Sequence, residues 1–290
     1  MRKIILLTSF SIFIIFIFFL INKEYKSDIH PFLIDLPKVV NVAHRGGMGI
    51  GPENTIFTFK KAIKVGADIL EMDIHSTSDS IIVLLHDNKV NRTTNGFGNI
   101  WDYSLQELLE LNAGYYWTED DSITFPYRFL EIKIPTLDQV FKKFNNIRLN
   151  IEIKNGESHI INNLCNMIYD NNMEEKVLIG SFEDEVIEDF RKVCPYVATS
   201  SGRDETKLFF VINYLYLDFL FSPSFDVFEL PQFYNKTSIL TERFIVGSDK
   251  KNIPIYVWTI NDKKIMKNLI KIGIKGIITD FPDSLSEILN

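Results

Sequence analysis

The sequence predicts an α/β protein in which strands and helices alternate to form a (β/α)8 TIM barrel. Short apolar runs rich in β-branched residues recur along the chain, and helical patterns lie between most of them. No Gly/Ser-rich linker divides the body, and 46% hydrophobic with 24% charged residues is a globular composition. Without its apolar N-terminal segment the chain has roughly 250 residues, which suits one such barrel, although length alone also allows two smaller domains.

Nine apolar runs are candidate strands, and five segments between them have helical patterns. The strands are Val39–Ala43, Ile69–Ile74, Ile81–Leu85, Leu149–Ile153, Val177–Ile179, Tyr196–Ala198, Phe219–Phe221, Ile255–Trp258 and Gly276–Ile278. The helices are Thr55–Val65, Thr136–Phe144, Ser158–Asp170, Glu183–Val193 and Lys263–Ile272. This alternation predicts a parallel sheet.

The third run is too close to the second to be its parallel neighbour. Only the six residues 75–80 separate them, whereas a parallel crossover needs about a dozen or more. We therefore expect Ile81–Leu85 to return as a hairpin arm, which leaves the eight strands of a barrel. The long stretch of residues 87–135 that follows predicts a small cap subdomain inserted beside the barrel mouth.

The N-terminus predicts a membrane anchor. Residues 4–21 carry no charge, and at about 1.5 Å per residue a helix of this length reaches roughly 27 Å, enough to cross a bilayer core. Because no small-residue cleavage site follows, an uncleaved anchor is favoured over a signal peptide, and Arg2 and Lys3 place the N-terminus in the cytoplasm. Residues 22–37 form a tether, and residues 38–290 form an extracytoplasmic barrel domain, or a secreted one if the segment is cleaved.

Charge and cysteine content narrow the partners and the compartment. A net charge of −7 argues against nucleic acid as a partner, because an acidic chain repels the phosphate backbone. Cys165 and Cys194 are expected to be two buried thiols, and a disulfide is the alternative if the domain lies outside the cytoplasm. The oligomeric state is not indicated by the sequence.

Acidic residues on two strands predict a metal site. Glu71 and Asp73 are two apart and share one strand face, and Glu152 shares a face with Lys154 in the same way. Inward carboxylates are costly unless a cation neutralises them, and three of them suit Mg²⁺ or Ca²⁺. The alternatives are an outward polar face or ion pair for the first two residues and a cross-strand salt bridge for the others.

Two histidines follow predicted strands and stand beside charged residues, His44 before Arg45 and His86 before Asp87. An imidazole with a pKa near 6.5 can donate and accept protons at neutral pH. A single histidine is more often structural, but two at neighbouring strand ends favour acid–base chemistry.

Eight motifs in this order resemble the glycerophosphodiester phosphodiesterase family over about residues 39–290. They are Val42-Ala43-His44-Arg45-Gly46, Gly51-Pro52-Glu53-Asn54-Thr55, Glu71-Met72-Asp73-Ile74, His86-Asp87, Glu152-Ile153-Lys154, Ser181-Phe182, Trp258-Thr259-Ile260-Asn261 and Ile278-Thr279-Asp280-Phe281-Pro282. The resemblance implies a TIM barrel with an inserted subdomain. It also implies metal-dependent hydrolysis of glycerophosphodiesters to an alcohol and glycerol 3-phosphate.

The resemblance also implies roles for single residues. The implied site is composed of metal ligands Glu71, Asp73 and Glu152, catalytic histidines His44 and His86, phosphate-contacting Arg45 and Lys154, and Trp258 near the head group. Ser80 departs from the family, which often has a turn glycine there, and the glycine-rich segment 46–51 predicts a flexible first loop.

Two other functions remain open at this point. A lysophospholipase D would use the same site on lysophospholipids, and an apolar groove around Tyr115, Tyr116 and Trp117 would favour it. A non-catalytic phosphate-binding barrel would keep the pocket without turnover.

Overall fold

The computed structural model describes residues 29–154, 156 and 158–290, and these residues form a TIM-like parallel sheet. Eight parallel strands follow one another in the order β6-β5-β4-β2-β1-β11-β10-β7. A parallel bridge between Ser200 and Val227 links the two end strands of this path. The strands are β1 Val40–Ala43, β2 Ile69–Ser76, β4 Arg148–Ile153, β5 Val177–Gly180, β6 Ala198–Thr199, β7 Phe228–Pro231, β10 Ile255–Trp258 and β11 Gly276–Thr279. The predicted parallel α/β architecture is therefore confirmed.

Three further strands lie off this path. Strand β3, Ile82–Leu84, pairs antiparallel with β2, as the short spacing between the two runs predicts. The turn between them places Ser80 at a φ of 62°, the left-handed region that glycine adopts most easily. The left-handed backbone at Ser80 explains why the resemblance implies a glycine in this turn. Strands β8 (Phe233–Tyr234) and β9 (Thr237–Ser238) form a separate hairpin with a two-residue turn between them.

Helices cover the outside of the sheet in the part of the chain that the structure describes. They are α1 Ile56–Lys64, α2 Leu105–Leu109, α3 Leu137–Lys143, α4 Ser158–Asp170, α5 Asp184–Val193, α6 Arg203–Tyr214, α7 Glu242–Lys250, α8 Lys263–Lys271 and α9 Pro282–Leu289. Side chains cap several helix starts. Thr55 accepts a bond from Thr58 N, and Thr136 forms a capping box with Gln139.

Side chains along each strand point alternately towards the helices and towards the barrel interior. In β2, Leu70 and Met72 pack outward into the core beneath the helices. Ile69 points inward, where it packs with Phe32 and other residues at the N-terminal ends of the strands. Glu71 and Asp73 share the inward face with Ile69 and lie nearer the C-terminal end of β2. The barrel interior is therefore apolar at its floor and acidic towards its mouth.

The seventh barrel strand lies elsewhere than predicted. Residues 219–221 were expected to form it, but Asp218–Leu220 form a 3-10 turn in which Phe219 is 70% exposed. The strand is β7, whose inward Glu229 interrupts the apolar pattern that identifies a buried strand. The sixth strand is also displaced, because β6 begins at Ala198 and Tyr196 is exposed.

The two cysteines are bonded to each other. A Cys165–Cys194 disulfide joins α4 to the end of α5, with a Cα–Cα distance of 5.7 Å. The expectation of two buried thiols was wrong in this respect, although both side chains are buried. Sequence spacing could not decide the pairing, which depends on how two neighbouring helices pack.

The segment predicted to cross a membrane, residues 4–21, lies outside the described residues. Across the described part of the chain, no helix combines the length and the apolar character that a bilayer span requires. Residues 87–135, the predicted cap, contain α2 and two 3-10 turns. They contribute Val90, Ile100 and Leu108 to a small apolar cluster that also includes Val83 and Leu85.

Candidate active site

A cavity of about 900 Å³ opens at the C-terminal ends of the barrel strands. It is lined by seven of the eight residues that the sequence singles out, namely His44, Arg45, Glu71, His86, Glu152, Lys154 and Trp258. The eighth, Asp73, is buried behind them, with Lys154 Nζ 3.0 Å from its Oδ1. The fold therefore brings the whole predicted set to one place.

Three carboxylates gather at one side of this cavity. Oxygens of Glu71, Asp73 and Glu152 all lie within 4.8 Å of one another. Their positions follow from the sheet, because β2 and β4 are paired in a register that sets Asp73 beside Glu152. Groups of acidic oxygens this close repel each other unless positive charge lies between them.

The three carboxylates fit a divalent cation. Asp73 Oδ1 is buried and accepts no hydrogen bond, since Lys154 approaches it at a distance but not an angle that completes one. Burial, and then the charge of Asp73, raise the pKa of Glu71 to about 8. A hard cation bound by oxygens would relieve both costs, and carboxylate oxygens are the ligands that Mg²⁺ and Ca²⁺ prefer.

His44 is held by a carboxylate at the end of the last barrel strand. Its Nδ1 lies 2.6 Å from Asp280 Oδ1, and Asn261 Nδ2 donates to the other oxygen of Asp280 at 2.6 Å. Burial alone would lower the pKa of His44, but the Asp280 hydrogen bond and the charge of Glu71 outweigh it and raise that pKa. The imidazole therefore keeps its proton to a higher pH than a free histidine does.

The loop that carries His44 is shaped by glycine. The 3-10 turn His44–Gly46 has Gly46 at a φ of 76°, and a Cβ there would lie 2.1 Å from the ring of Phe59. Arg45 also has a positive φ, 49°, and its backbone N donates to Glu71. The turn therefore fixes the orientation of His44 and Arg45 relative to the acidic group.

The imidazole of His86 is hydrogen-bonded to the next residue in the chain, Asp87. Its Nδ1 lies 2.7 Å from Asp87 Oδ1, and Arg92 Nε donates to Asp87 Oδ2 at 2.6 Å. Burial lowers the pKa of His86, and the opposing pull of Asp73 and Asp87 does not reverse the shift. The two histidines of the cavity are thus displaced in opposite directions from the ordinary histidine pKa.

Two cationic side chains also reach the cavity. Lys154 Nζ lies 2.7 Å from Glu152 Oε1, and Arg45 Nη1 donates to Glu53 Oε1 at 3.1 Å. Beside Lys154, whose Nζ lies 5.7 Å from the centroid of the Phe182 ring, Trp258 meets Phe182 edge to face at 5.4 Å between ring centroids. The site therefore combines positive charge for an anionic group with an aromatic wall.

Sequence reasoning assigned no role to several residues that support this site. Asn54, at a φ of 56°, donates to Asp73 Oδ2 at 2.9 Å and accepts from Asp73 N. Asp280, Asn261, Glu53 and Asn54 belong to the quoted motifs, which was the available signal. Arg92 lay outside the motifs, and its only signal was its position shortly after His86-Asp87.

A half-buried acid on the inner wall was also missed. Glu229 lines the cavity and accepts a hydrogen bond from Asn150 Nδ2 at 2.5 Å. Burial raises the pKa of Glu229 to about 7, although hydrogen bonds from Asn150 and Ser200 oppose the shift. The available signal was Glu229 as a single acidic residue in an otherwise apolar stretch. It was overlooked because the seventh strand was predicted at residues 219–221.

Over residues 44–284 the chain matches the model of the glycerophosphoryl diester phosphodiesterase family. The chain belongs to this family. A glycerophosphodiester phosphodiesterase of Caldanaerobacter subterraneus subsp. tengcongensis is 35% identical over 258 residues, which cover 86% of this chain and 96% of the relative. Membership in the glycerophosphoryl diester phosphodiesterase family confirms the enzyme class that the motifs imply, a phosphoric diester hydrolase.

Other relatives include a human protein named lysophospholipase D, 26% identical over 275 residues, with 86% of each chain covered. Among solved structures, the glycerophosphoryl diester phosphodiesterase domain of a Mycobacterium tuberculosis protein superimposes with a TM-score of 0.75 at 17% identity. That match covers 88% of this chain and 100% of the other. An Oleispira antarctica phosphodiesterase in complex with the product sn-glycerol-3-phosphate gives a TM-score of 0.68 at 22% identity, covering 88% of this chain and 97% of the other. These structures agree on the fold of the family.

Proposed function

We propose that this member of the family hydrolyses glycerophosphodiesters to an alcohol and glycerol 3-phosphate, using a divalent metal ion and two histidines. The observation that carries the proposal is the acidic group Glu71, Asp73 and Glu152, with oxygens within 4.8 Å of one another, in the cavity that His44 and His86 also line. Buried carboxylates cost free energy unless positive charge or hydrogen bonds compensate them, so a cluster of three is more readily explained by a bound cation than by stability of the fold.

Glu71, Asp73 and Glu152 would hold Mg²⁺ or Ca²⁺. When bound, such an ion supplies Lewis-acid charge to an oxygen of the phosphodiester. Arg45 and Lys154 orient the remaining anionic oxygens, because a guanidinium can donate two parallel hydrogen bonds and an ammonium adds a point charge. Trp258, packed against Phe182, lies on the wall that would face the head group.

The histidines carry the proton transfers. His44, whose pKa is raised, holds the proton that the leaving alkoxide needs and acts as the general acid. His86, whose pKa is lowered, is neutral at pH 7 and accepts the proton of the attacking hydroxyl group. Asp280 and Asp87 each bond the Nδ1 atom, which leaves the Nε2 atom of each ring as the one able to exchange a proton with substrate.

Alanine variants test the assignment. His44→Ala and His86→Ala are each expected to lower the rate of glycerophosphocholine hydrolysis by about 10²–10⁴-fold while metal binding persists. His159→Ala, on the outer helix α4, is the matched control and should keep its rate. Wild-type turnover in either active-site variant contradicts the proposal, and tight binding of glycerophosphocholine by the unaltered chain without product would favour a phosphate-binding barrel.

A lysophospholipase D is the second candidate, and the shape of the cavity favours it. Beyond the acidic group the cavity continues between α6 and the β8–β9 hairpin, where Phe210, Leu230 and Ile239 form an apolar wall and Arg203 and Lys207 also line it. We call this part the apolar arm, and its apolar wall suits an acyl chain better than a water-soluble head group. The lining does not include Tyr115, Tyr116 or Trp117, so the groove expected around them is replaced by this arm.

A matched pair of substrates separates the two candidates. Glycerophosphocholine and lysophosphatidylcholine share a head group and differ by one acyl chain. If the arm holds that chain, Ile239→Trp should raise KM for the lysolipid several-fold and leave glycerophosphocholine unaffected. Equal effects on both substrates, or no turnover of the lysolipid, would leave the soluble diester as the substrate.

We also propose that the domain of residues 38–290, with its insertion at about 87–135, is held at a membrane on the extracytoplasmic side. The support is the uncharged run at residues 4–21 together with the Cys165–Cys194 disulfide, because disulfides persist in oxidising compartments. Fractionation of expressing cells tests the location. The enzyme is expected in the membrane fraction and accessible to protease from outside, and recovery in the cytosol would refute the proposal.

A further inference from the structure

Helix α6 presents an apolar row to its outside. Leu208, Val211 and Leu215 are 50%, 53% and 57% exposed, and their spacing of three and four residues puts them on one side of the helix. The opposite side packs Phe209 into the core. We call this row the α6 face. Contiguous apolar surface of this kind on a helix that already has a buried side marks a contact with something else.

The apolar surface continues beyond both ends of the row. Tyr214 is 72% exposed, and the segment after the helix adds Tyr216 and Phe219, exposed by 72% and 70%. The β8–β9 hairpin adds Tyr234 at the other end, exposed by 62%. Tyrosine, with an apolar body and a polar tip, is the residue type that suits the boundary between hydrocarbon and water.

The α6 face is continuous with the cavity. Val211 belongs to the α6 face and also lines the apolar arm, as does Tyr234 on the hairpin. An amphiphile whose chain lies against the α6 face can therefore reach the acidic group along the apolar wall of the arm, which Arg203 and Lys207 flank.

The N-terminal chain enters the domain at the floor of the barrel. His30 Nε2 lies 3.2 Å from Tyr196 O, just before the N-terminal end of β6, the strand that α6 follows. Between the apolar run and residue 29 are the seven residues 22–28, which span at most about 25 Å even when fully extended. An anchor in a bilayer therefore keeps the floor end of the barrel within about that distance of the bilayer.

We propose that the α6 face and the adjoining hairpin rest on the surface of a lipid bilayer. This inference rests on the membrane location proposed above and adds the orientation of the enzyme on the membrane. The chain has a net charge of −7, so apolar burial rather than attraction to anionic lipid would hold the contact. In this orientation the apolar arm opens towards the lipid.

Bromine quenching of added tryptophans tests the contact in the full chain. Leu208→Trp and Leu215→Trp place an indole on the α6 face. Ile63→Trp places one on α1, which is the matched control because β1 is four strands from β6 in either direction around the sheet. Each variant is reconstituted into phosphatidylcholine vesicles with brominated acyl chains, and the three native tryptophans give the same background in all of them.

The added indoles of the α6 face are expected to lose at least twice as much fluorescence to the bromines as the indole of the control. Equal quenching at all three sites overturns the proposal. A chain that fails to float with the vesicles overturns the surface and the anchor together. Formation of a dimer that shields Leu208→Trp without lipid assigns the α6 face to a second copy instead. Hydrolysis of glycerophosphocholine by the same samples tests the proposed reaction separately.

Discussion

Arg92 binds Glu53 through both carboxylate oxygens, with Nη1 2.6 Å from Oε2 and Nη2 2.7 Å from Oε1. The same guanidinium bonds Asp87, which in turn holds His86. Burial would raise the pKa of Asp87, but hydrogen bonds from Arg92 and His86 lower it to about 2. One side chain from the insertion therefore ties the loop before α1 to the imidazole of His86.

Replacing this guanidinium should misplace His86 without removing it. For Arg92→Lys we expect kcat on glycerophosphocholine to fall by about 10- to 100-fold, because an ammonium cannot bond Glu53 and Asp87 in the same forked geometry. KM and metal affinity should change much less. Arg128→Lys, elsewhere in the insertion, is the control. An unchanged kcat, or a loss confined to KM, would show that Arg92 does not position the imidazole.

The opposite pKa shifts of the two histidines predict a bell-shaped pH profile of kcat/KM. The rate requires neutral His86 and protonated His44, so the acidic limb should lie below pH 6.5 and the basic limb above it. Asp280→Asn keeps a hydrogen-bond acceptor for His44 but removes the negative charge. We expect the basic limb to move to lower pH while the acidic limb stays. If the acidic limb moved instead, the result would indicate that His44 is the general base and His86 the general acid.

Glu229 predicts a pH dependence of stability. Its pKa of about 7 in the folded protein is above the ordinary value of 4.5, so its contribution to stability is complete below pH 4.5 and is lost as the pH rises through 7. Glu229→Gln removes this loss. We expect its Tm to exceed that of the wild type by several degrees at pH 8, corresponding to about 3 kcal/mol, and by much less at pH 5.

Glu110→Gln, at an exposed position, is the control for that measurement. The same Tm difference at both pH values would show that the substitution acts through packing or hydrogen bonding and not through the titration of Glu229.

Strand periodicity made the acidic group predictable. Leu70 and Met72 alternate with Glu71 and Asp73, so the inward face of β2 follows from the sequence once a barrel is assumed, and the paired strand supplies Glu152. The same reasoning failed for β7, because inward Glu229 disrupts the apolar pattern there. Alternation predicts a strand only where its inner face is apolar or carries a recognised motif.

Two contacts between distant segments were not predicted from the sequence. Asp280 meets His44 across 236 positions because β1 and β11 are neighbours in the sheet, and nothing local to either residue records this. The Cys165–Cys194 bond likewise depends on the packing of two helices. Both relationships follow from how strands and helices pack in the folded chain and not from local sequence pattern.

That disulfide should contribute measurably to stability. It constrains a separation of 29 residues, and bonds closing loops of this size typically contribute about 2–4 kcal/mol. Cys165→Ala combined with Cys194→Ala should lower the free energy of unfolding in urea by that amount and abolish any effect of reductant on Tm. A wild-type Tm that does not respond to reductant under unfolding conditions would show that the bond is not formed in solution.

Metal dependence of turnover tests most directly whether Glu71, Asp73 and Glu152 hold a catalytic divalent ion beside the two histidines. The full chain is stripped with a chelator, and release of glycerol 3-phosphate from glycerophosphocholine is followed before and after Mg²⁺ or Ca²⁺ is restored. We expect no turnover in the stripped enzyme, recovery with one of the two ions, and no recovery in Asp73→Asn. Full activity after chelation, or an Asp73→Asn variant that recovers like the wild type, would contradict the proposed site.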